Sequence, residues 1–277
     1  MGILKRIWRP VRTTLRLAGS SICFQTFFYV GLLMATFLVP LVRLLSRDGL
    51  RARHRILRIV SLCFWVFMHQ MVLLRMLAHY KVTGARAWRD RPCLVIANHP
   101  TLIDIVALLG VLPRGGCIVK GSLLRHRFFG GVVRAAGYLP NDCGESMLEG
   151  ARRHFEEGFS LVVFPEGSRS LADGLRPFHR GAARIALECD VPVVPVRVVA
   201  EPGFLRTGDR WYHIPDIPAD FRLEFQDPIE IPPEIRDDPV HSRRVRRLTA
   251  LFQTRLEEIS GQRVVDGTPH PETASRS

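Results

Sequence analysis

The sequence has no G-x-G-x-x-G segment and no Walker-type G-x-x-x-x-G-K-[ST], so neither a dinucleotide nor a nucleoside triphosphate would find a phosphate-cradling loop. Its six cysteines (Cys23, Cys63, Cys93, Cys117, Cys143 and Cys189) form no C-x-x-C pair and lie mostly inside apolar runs. That usage indicates a reducing compartment and supports neither a disulfide framework nor a zinc site. The ten histidines show no metal-ligand spacing, so no metal is expected. A covalent serine mechanism lacks its elbow, because Gly167-Ser168-Arg169 has no glycine two residues after the serine. Acidic residues are nearly missing from the first eighty positions, where Asp48 alone faces twelve Lys or Arg. The rest of the chain is close to balanced, which disfavours nucleic acid as a partner. Basic residues interleaved with apolar runs point instead to anionic lipid headgroups.

Residues 17–42 contain no charge and include Phe24, Phe27, Phe28, Tyr29 and Phe37, enough to span a hydrocarbon core at about twenty residues. A second uncharged stretch, 59–74, is shorter and carries His69 and Gln70 in its middle, which suits an interfacial or re-entrant helix. Arginine clusters flank both stretches, and positive charge on every flank cannot satisfy the positive-inside rule with a single crossing. A helical hairpin dipping into one leaflet resolves the conflict. The expected location is therefore a membrane, on the cytoplasmic face of the inner (plasma) membrane. A cleaved signal peptide is not expected, because basic residues rather than a small-residue cleavage site follow the first run. Arg6 stands where myristoylation prefers Ser or Thr.

Beyond the hairpin, short apolar strand patterns at 93–97, 117–119, 138–139, 161–164 and 193–199 alternate with helical patterns at 101–109, 123–136, 146–157 and 181–188. This predicts an α/β fold, a mainly parallel sheet with helices on both faces. Residues 201–220, rich in Pro, Gly and Asp, read as a long loop that either lines a ligand entrance or makes a surface excursion. Residues 221–231 read as a closing strand, and 242–259 as an amphipathic helix that packs on the domain or touches a membrane. The expected organisation is a basic membrane-binding helical pair over 1–80, an α/β domain over 81–262, and a polar disordered tail over 263–277.

Chemistry concentrates at two strand ends. Ala97-Asn98-His99-Pro100-Thr101-Leu102-Ile103-Asp104 follows one apolar run, and Pro100 and Thr101 suit a helix start. A folded-back turn there can bring Asp104 to one imidazole nitrogen of His99 and leave the other facing substrate, the arrangement of a general base. By itself such a pair is more often a helix cap beside a surface histidine. About sixty residues on, Phe164-Pro165-Glu166-Gly167-Ser168-Arg169-Ser170 repeats the layout of apolar strand into charged turn. Arg169 can present a planar fork to a phosphate, Gly167 lets backbone amides approach an anion, and Glu166 can hold Arg169 or a substrate hydroxyl. An ion-paired β-turn is the plainer reading.

Taken together and in this order, the two segments resemble the glycerolipid acyltransferase family, whose members carry N-H-x-x-x-x-D and F-P-E-G-[ST]-R-S blocks. The resemblance covers about residues 82–226. It extends to 178–187 as the helix after the second block, to 191–196 as a proline-containing strand, and to Lys120 with Gly121 as a further block. One departure is Asn141-Asp142, where phosphatidic-acid-forming members usually place a basic residue. The resemblance implies transfer of a fatty acyl group from acyl-CoA or acyl-ACP, as co-substrate rather than bound cofactor, to a hydroxyl of a lysophospholipid such as 1-acylglycerol-3-phosphate, giving phosphatidic acid. His99 would take the hydroxyl proton and Asp104 orient it. Lys120 and Arg169 would hold phosphates, with Glu166, Gly167 and Ser168 completing the substrate-binding turn and Ser168 in a structural or hydrogen-bonding role. Two other readings stay open. One is an acyltransferase for a specialised acceptor, an ornithine lysolipid or a polyketide-type lipid on a carrier protein. The other is a non-catalytic membrane lipid-binding protein.

Overall fold

The computed structural model describes residues 2–141, 144–210, 212 and 215–265, with side chains from Thr14 onward. Helix α1 (Gly2–Leu33) continues through a π-helical turn (Met34–Leu38) into α2 (Val39–Leu44). After a turn at 45–48, α3 (Gly49–Leu73) runs back alongside, its start capped by Asp48, which accepts the Arg51 N–H at 2.7 Å. The two arms are antiparallel and close: Gln70 donates to the Thr26 hydroxyl at 3.2 Å, and a Cβ on Gly19 would lie 3.2 Å from the Leu74 carbonyl oxygen.

The remaining elements are β1 (Leu77–Thr83), β2 (Leu94–Ala97), α4 (Asp104–Val111), β3 (Gly115–Val119), α5 (Gly121–Leu124), α6 (Gly130–Ala136), β4 (Leu139–Pro140), α7 (Glu145–Glu156), β5 (Ser160–Val163), α8 (Gly181–Cys189), β6 (Val193–Glu201), β7 (Ala219–Phe225), α9 (Pro233–Arg236) and α10 (His241–Ser260). They build one seven-stranded sheet in the order β1-β7-β6-β2-β5-β3-β4. Strands β6, β2, β5, β3 and β4 are mutually parallel; β7 pairs antiparallel with β6, and β1 runs parallel to β7.

The period-two alternation of a strand divides two cores between the faces. In and beside β2, Cys93, Val95 and Ala97 join the core beneath α3 and α4, whereas Leu94 and Ile96 join the one beneath α7, α8 and α10. A strand buried on both sides needs an unbroken apolar run, which β2 has. Burial also pushes the Cys93 thiol up to about 11 and raises that of Cys117, so neither is a thiolate at neutral pH.

The structure departs from the sequence expectation at several elements. The boundary at residue 80 falls inside β1, whose register with β7 runs from Leu77 to Thr83. Nor is the 59–74 stretch separate from the α/β domain, as the division into 1–80 and 81–262 expected. It belongs to α3, which buries Ile56, Leu57, Val60, Met68 and Met71 against the sheet and donates a hydrogen bond from Ser61 to the Gly110 carbonyl. Its His69 and Gln70 find partners in the Trp65 carbonyl and the Thr26 hydroxyl. The helix expected over 123–136 is two short ones, because His126 Nδ1 accepts the N–H groups of Phe128 and Phe129 and starts α6 afresh. Finally, order runs past 262: Leu175 donates to the Arg263 carbonyl and accepts from Val265, both at 2.9 Å. The rest of the expected tail, 266–277, lies outside the described residues, as does Asp142.

Candidate active site

The carboxyl ends of β2, β5 and β3 open at the same edge of the sheet, and they carry His99, the 164–170 turn and Lys120 respectively. Chain direction alone therefore gathers these residues. Asn98 fastens the first of these strand ends. Its amide donates to the Val198 carbonyl at 2.9 Å and accepts the Val198 N–H at 2.8 Å, so a side chain carries the β2–β6 ladder one step past the end of β2. The next residue, His99, leaves the sheet with its backbone held.

Asp104 opens α4 and is fully buried. Three donors converge on it: His99 Nδ1 at 2.8 Å and the Thr101 N–H at 2.7 Å meet Oδ2, and the Thr101 hydroxyl meets Oδ1. Since an ionised carboxylate only accepts, Nδ1 carries its proton, and Nε2 becomes the basic nitrogen. Nε2 makes no hydrogen bond among the described residues, and the imidazole keeps 17% of its surface open. Burial drives the Asp104 carboxyl up, and the bonds from His99 and Thr101 oppose that rise. The helix starts at Asp104 rather than at Thr101, because residues 101–103 form the turn that folds the carboxylate back onto the imidazole.

Glu166 has a different task from either one expected of it. It is 2% exposed and touches neither Arg169 nor the outside. Its Oε1 accepts the His99 N–H at 3.1 Å and the Ser170 hydroxyl at 2.6 Å, and its Oε2 accepts the Arg176 N–H at 2.9 Å. Ser170 in turn donates its N–H to the His99 carbonyl at 2.8 Å. The two sequence blocks are thus one buried network, with Glu166 locking the backbone of the histidine. Burial raises the Glu166 carboxyl, and its bonds to Ser170, Arg176 and His99 counter the shift. Phe164 lies flat on the His99 ring at 4.0 Å between centroids and 15° between planes, restricting its rotation.

Gly167 adopts φ +68°, and a Cβ there would stand 2.7 Å from the His179 ring, so both backbone and space require glycine. Arg169 donates through Nη1 to the carbonyls of Leu205 (2.9 Å) and Arg206 (2.7 Å), which pins the 202–209 segment over the site. Leu205, at φ +51°, also accepts the Leu102 N–H at 3.1 Å. The other edge of the Arg169 guanidinium, Nε with Nη2, makes no hydrogen bond among the described residues. Lys120 and Ser168 are exposed without side-chain hydrogen bonds among the described residues. Asn141 donates its backbone N–H to the Val119 carbonyl beside β3.

Sequence reasoning did not single out Thr101, Ser170, Asn98 or Phe164 for these tasks. A hydroxyl three residues before Asp104 and another four after Glu166 were the available signals, since such spacings suit side-chain capping of a turn. Among the described residues, no three His, Cys, Asp or Glu side chains are grouped to hold a metal ion.

The family model described as Acyltransferase matches residues 79–199, from β1 to within β6. A 1-acyl-sn-glycerol-3-phosphate acyltransferase of Haemophilus influenzae is 30% identical over 177 residues, 60% of this chain and 69% of that protein. A protein of the same name from Cocos nucifera is 34% identical over 110 residues, 37% of this chain and 36% of its own length. The human beta form is 30% identical over 134 residues, 46% and 48%. The match therefore spans less than half the length of these last two relatives. The crystal structure of the 1-acyl-sn-glycerophosphate (LPA) acyltransferase PlsC from Thermotoga maritima shares the fold, with a TM-score of 0.65 at 22% identity over 91% of this chain and 97% of that one.

Proposed function

The chain belongs to the glycerolipid acyltransferase family, and on that footing we propose that it transfers a fatty acyl group from a thioester of coenzyme A or acyl carrier protein to the free hydroxyl of 1-acylglycerol-3-phosphate, giving phosphatidic acid. The observation that carries this reading is the 2.8 Å bond from His99 Nδ1 to the buried Asp104, which leaves Nε2 without a partner among the described residues at the end of a central strand. In the proposed step Nε2 accepts the hydroxyl proton as the oxygen attacks the thioester carbonyl. The C–S bond then breaks, and the imidazolium returns the proton to the departing thiolate. A base so placed contributes about 10² to 10⁴ in rate. Asp104 stabilises the imidazolium, and the stacked Phe164 ring keeps water from one of its faces.

The phosphate of the acceptor falls to the free edge of Arg169, with Lys120 at the neighbouring strand end. Membrane association accords with two helical stretches long and apolar enough to cross a bilayer, Thr14–Leu44 and Gly49–Leu73. An outward stripe in the first includes Leu15, Ile22, Tyr29, Leu33, Phe37 and Leu41. Arginines around both stretches favour the cytoplasmic face of the inner membrane.

Thiol release by the purified protein, followed with acyl-CoA and with acyl-ACP against a panel of lysolipids, tests the reading. Turnover confined to 1-acylglycerol-3-phosphate supports it, and none with that acceptor while a phosphate-free lysolipid is acylated overturns it. Arg169→Ala should raise the KM for the phosphate acceptor about ten- to a hundredfold, as loss of a charge-assisted bond does. Arg169→Lys should restore only part, since an ammonium cannot reproduce a two-point grip. A rise in donor KM alone would move Arg169 to the carrier's phosphate.

A further inference from the structure

Between the strand end that carries Lys120 and the first helix lies a short segment, Arg125-His126-Arg127-Phe128, to which the proposed reaction gives no task. All four residues are exposed, and Phe128 keeps 39% of its surface open. Neither arginine has an acidic partner among the described residues. The segment is nevertheless firmly placed. His126 Nδ1 accepts the N–H groups of Phe128 and Phe129, and its ring stacks on Phe129 at 5.1 Å and 21°. Phe129 enters a notch in α1, packing on Phe27 at 5.5 Å and Phe28 at 5.2 Å, and a Cβ on Gly31 would come within 2.5 Å of its ring. Gly131 faces Ala35, with its own Cβ position 3.3 Å away.

One aromatic of the Phe128-Phe129 pair is thus pegged into the helix, and the other is exposed next to it in the chain, while Phe28, which touches Phe129, is exposed on α1 together with Leu33, as is Phe37 in the π-helical turn that follows. Arg125 and Arg127, neither with an acidic partner among the described residues, precede the outward ring in the chain. An exposed ring preceded by two cations, on a segment anchored through Phe129 to a helix with exposed apolar residues, has the chemistry that suits an anionic bilayer surface: the ring enters the acyl boundary while the guanidiniums meet lipid phosphates.

We propose that residues 125–128 form a second membrane contact, which docks on anionic lipid beside α1 and holds the Lys120 side of the active site at the bilayer surface. The inference rests on the membrane reading above and adds a place and a lipid class to it. The test uses the full chain. Phe128→Trp should gain fluorescence quenching by phosphatidylcholine brominated along its acyl chains, in excess of the wild-type tryptophans. Arg125→Ser with Arg127→Ser should weaken binding to phosphatidylglycerol-rich vesicles about thirtyfold and leave binding to pure phosphatidylcholine unchanged. Turnover on a short-chain acceptor dispersed as monomers should stay at the wild-type value. If wild type binds the vesicles but Phe128→Trp shows no added quenching, or the double variant loses equally on both lipids, the second contact is wrong while the membrane reading stands. If wild type itself binds neither vesicle, both fall.

Discussion

Thr101 decides how the catalytic pair should respond to mutation. Its hydroxyl meets Asp104 Oδ1 while its N–H and His99 Nδ1 share Oδ2. In Asp104→Asn the new amide can replace Oδ1 and donate to a Thr101 hydroxyl that has turned around, so the Nδ1–H tautomer survives and only the counter-charge is lost. His99→Ala removes the base itself. The expected order is a fall in turnover of about 10² to 10⁴ for His99→Ala and a smaller one for Asp104→Asn, both with an unchanged circular dichroism spectrum. Near-wild-type thiol release by folded His99→Ala would end the catalytic assignment. Glu166 allows a test by pH. Burial raises its folded carboxyl above the unfolded value, so the native state holds that proton more tightly, and the associated stability is present below about 4.3 and lost as pH rises through the folded value. Glu166→Gln cannot titrate and turns an NH2 against the His99 or Arg176 N–H, costing about 1 to 3 kcal/mol. The Tm gap between wild type and Glu166→Gln should therefore be widest near pH 4 and narrow toward pH 7; a gap that widens would reverse the sign assigned to Glu166.

At the scale of elements, α3 joins the hairpin to the catalytic body. Gly110 of α4 lets the two helices touch, since a Cβ there would stand 3.0 Å from the Trp65 backbone nitrogen and 3.3 Å from the Phe64 carbonyl carbon. Backbone cannot move aside as a side chain can, so Gly110→Val should cost about 1 to 3 kcal/mol or more, read as a lowered Tm. An unchanged Tm would mean that the α3–α4 contact is looser than these distances. Arg53, near the start of α3, reaches the carbonyls of Ala136 (3.1 Å) and Gly137 (3.2 Å), His154 Nδ1 and the Glu157 carboxylate, and covers the Phe159 ring at 4.3 Å. The buried His154, pushed down to about 3 by burial and by that guanidinium, stays neutral beside it. Deleting 1–80 would strip these contacts and β1 from the sheet. A membrane-release experiment should therefore substitute residues on the outer helix face rather than cut at residue 80.

Across the whole molecule, charge and apolar surface act at different ranges. The arginines attract an anionic surface over about 8 to 10 Å at physiological salt and are screened beyond it, whereas a buried apolar stripe is indifferent to salt. Membranes carrying the full chain should therefore keep it through a wash at 1 M salt, where the screening length is about 3 Å, and release it to detergent. Quantitative release by salt alone would mean that the Leu15-to-Leu41 stripe does not enter lipid.

By themselves the residues determined the alternation of strands and helices, the edge of the sheet at which His99 and the 164–170 turn meet, and the His99–Asp104 pair. Those depend on local periodicity and on spacing within a single turn, both properties of neighbours in the chain. The membership of α3 and β1 in the catalytic body was decided only in three dimensions. The apolar residues of α3 look alike whether lipid or protein covers them, and β1 owes its place to β7, some 140 residues away. The task of Glu166 was decided there as well. A carboxylate beside Arg169 in sequence reads as its partner, yet the turn at Gly167 and the approach of β2 to β5 direct it inward to the His99 backbone, while Arg169 goes to Leu205 and Arg206. Covalent neighbours limit where a side chain can reach, and the packing of distant strands selects which of the reachable donors it meets.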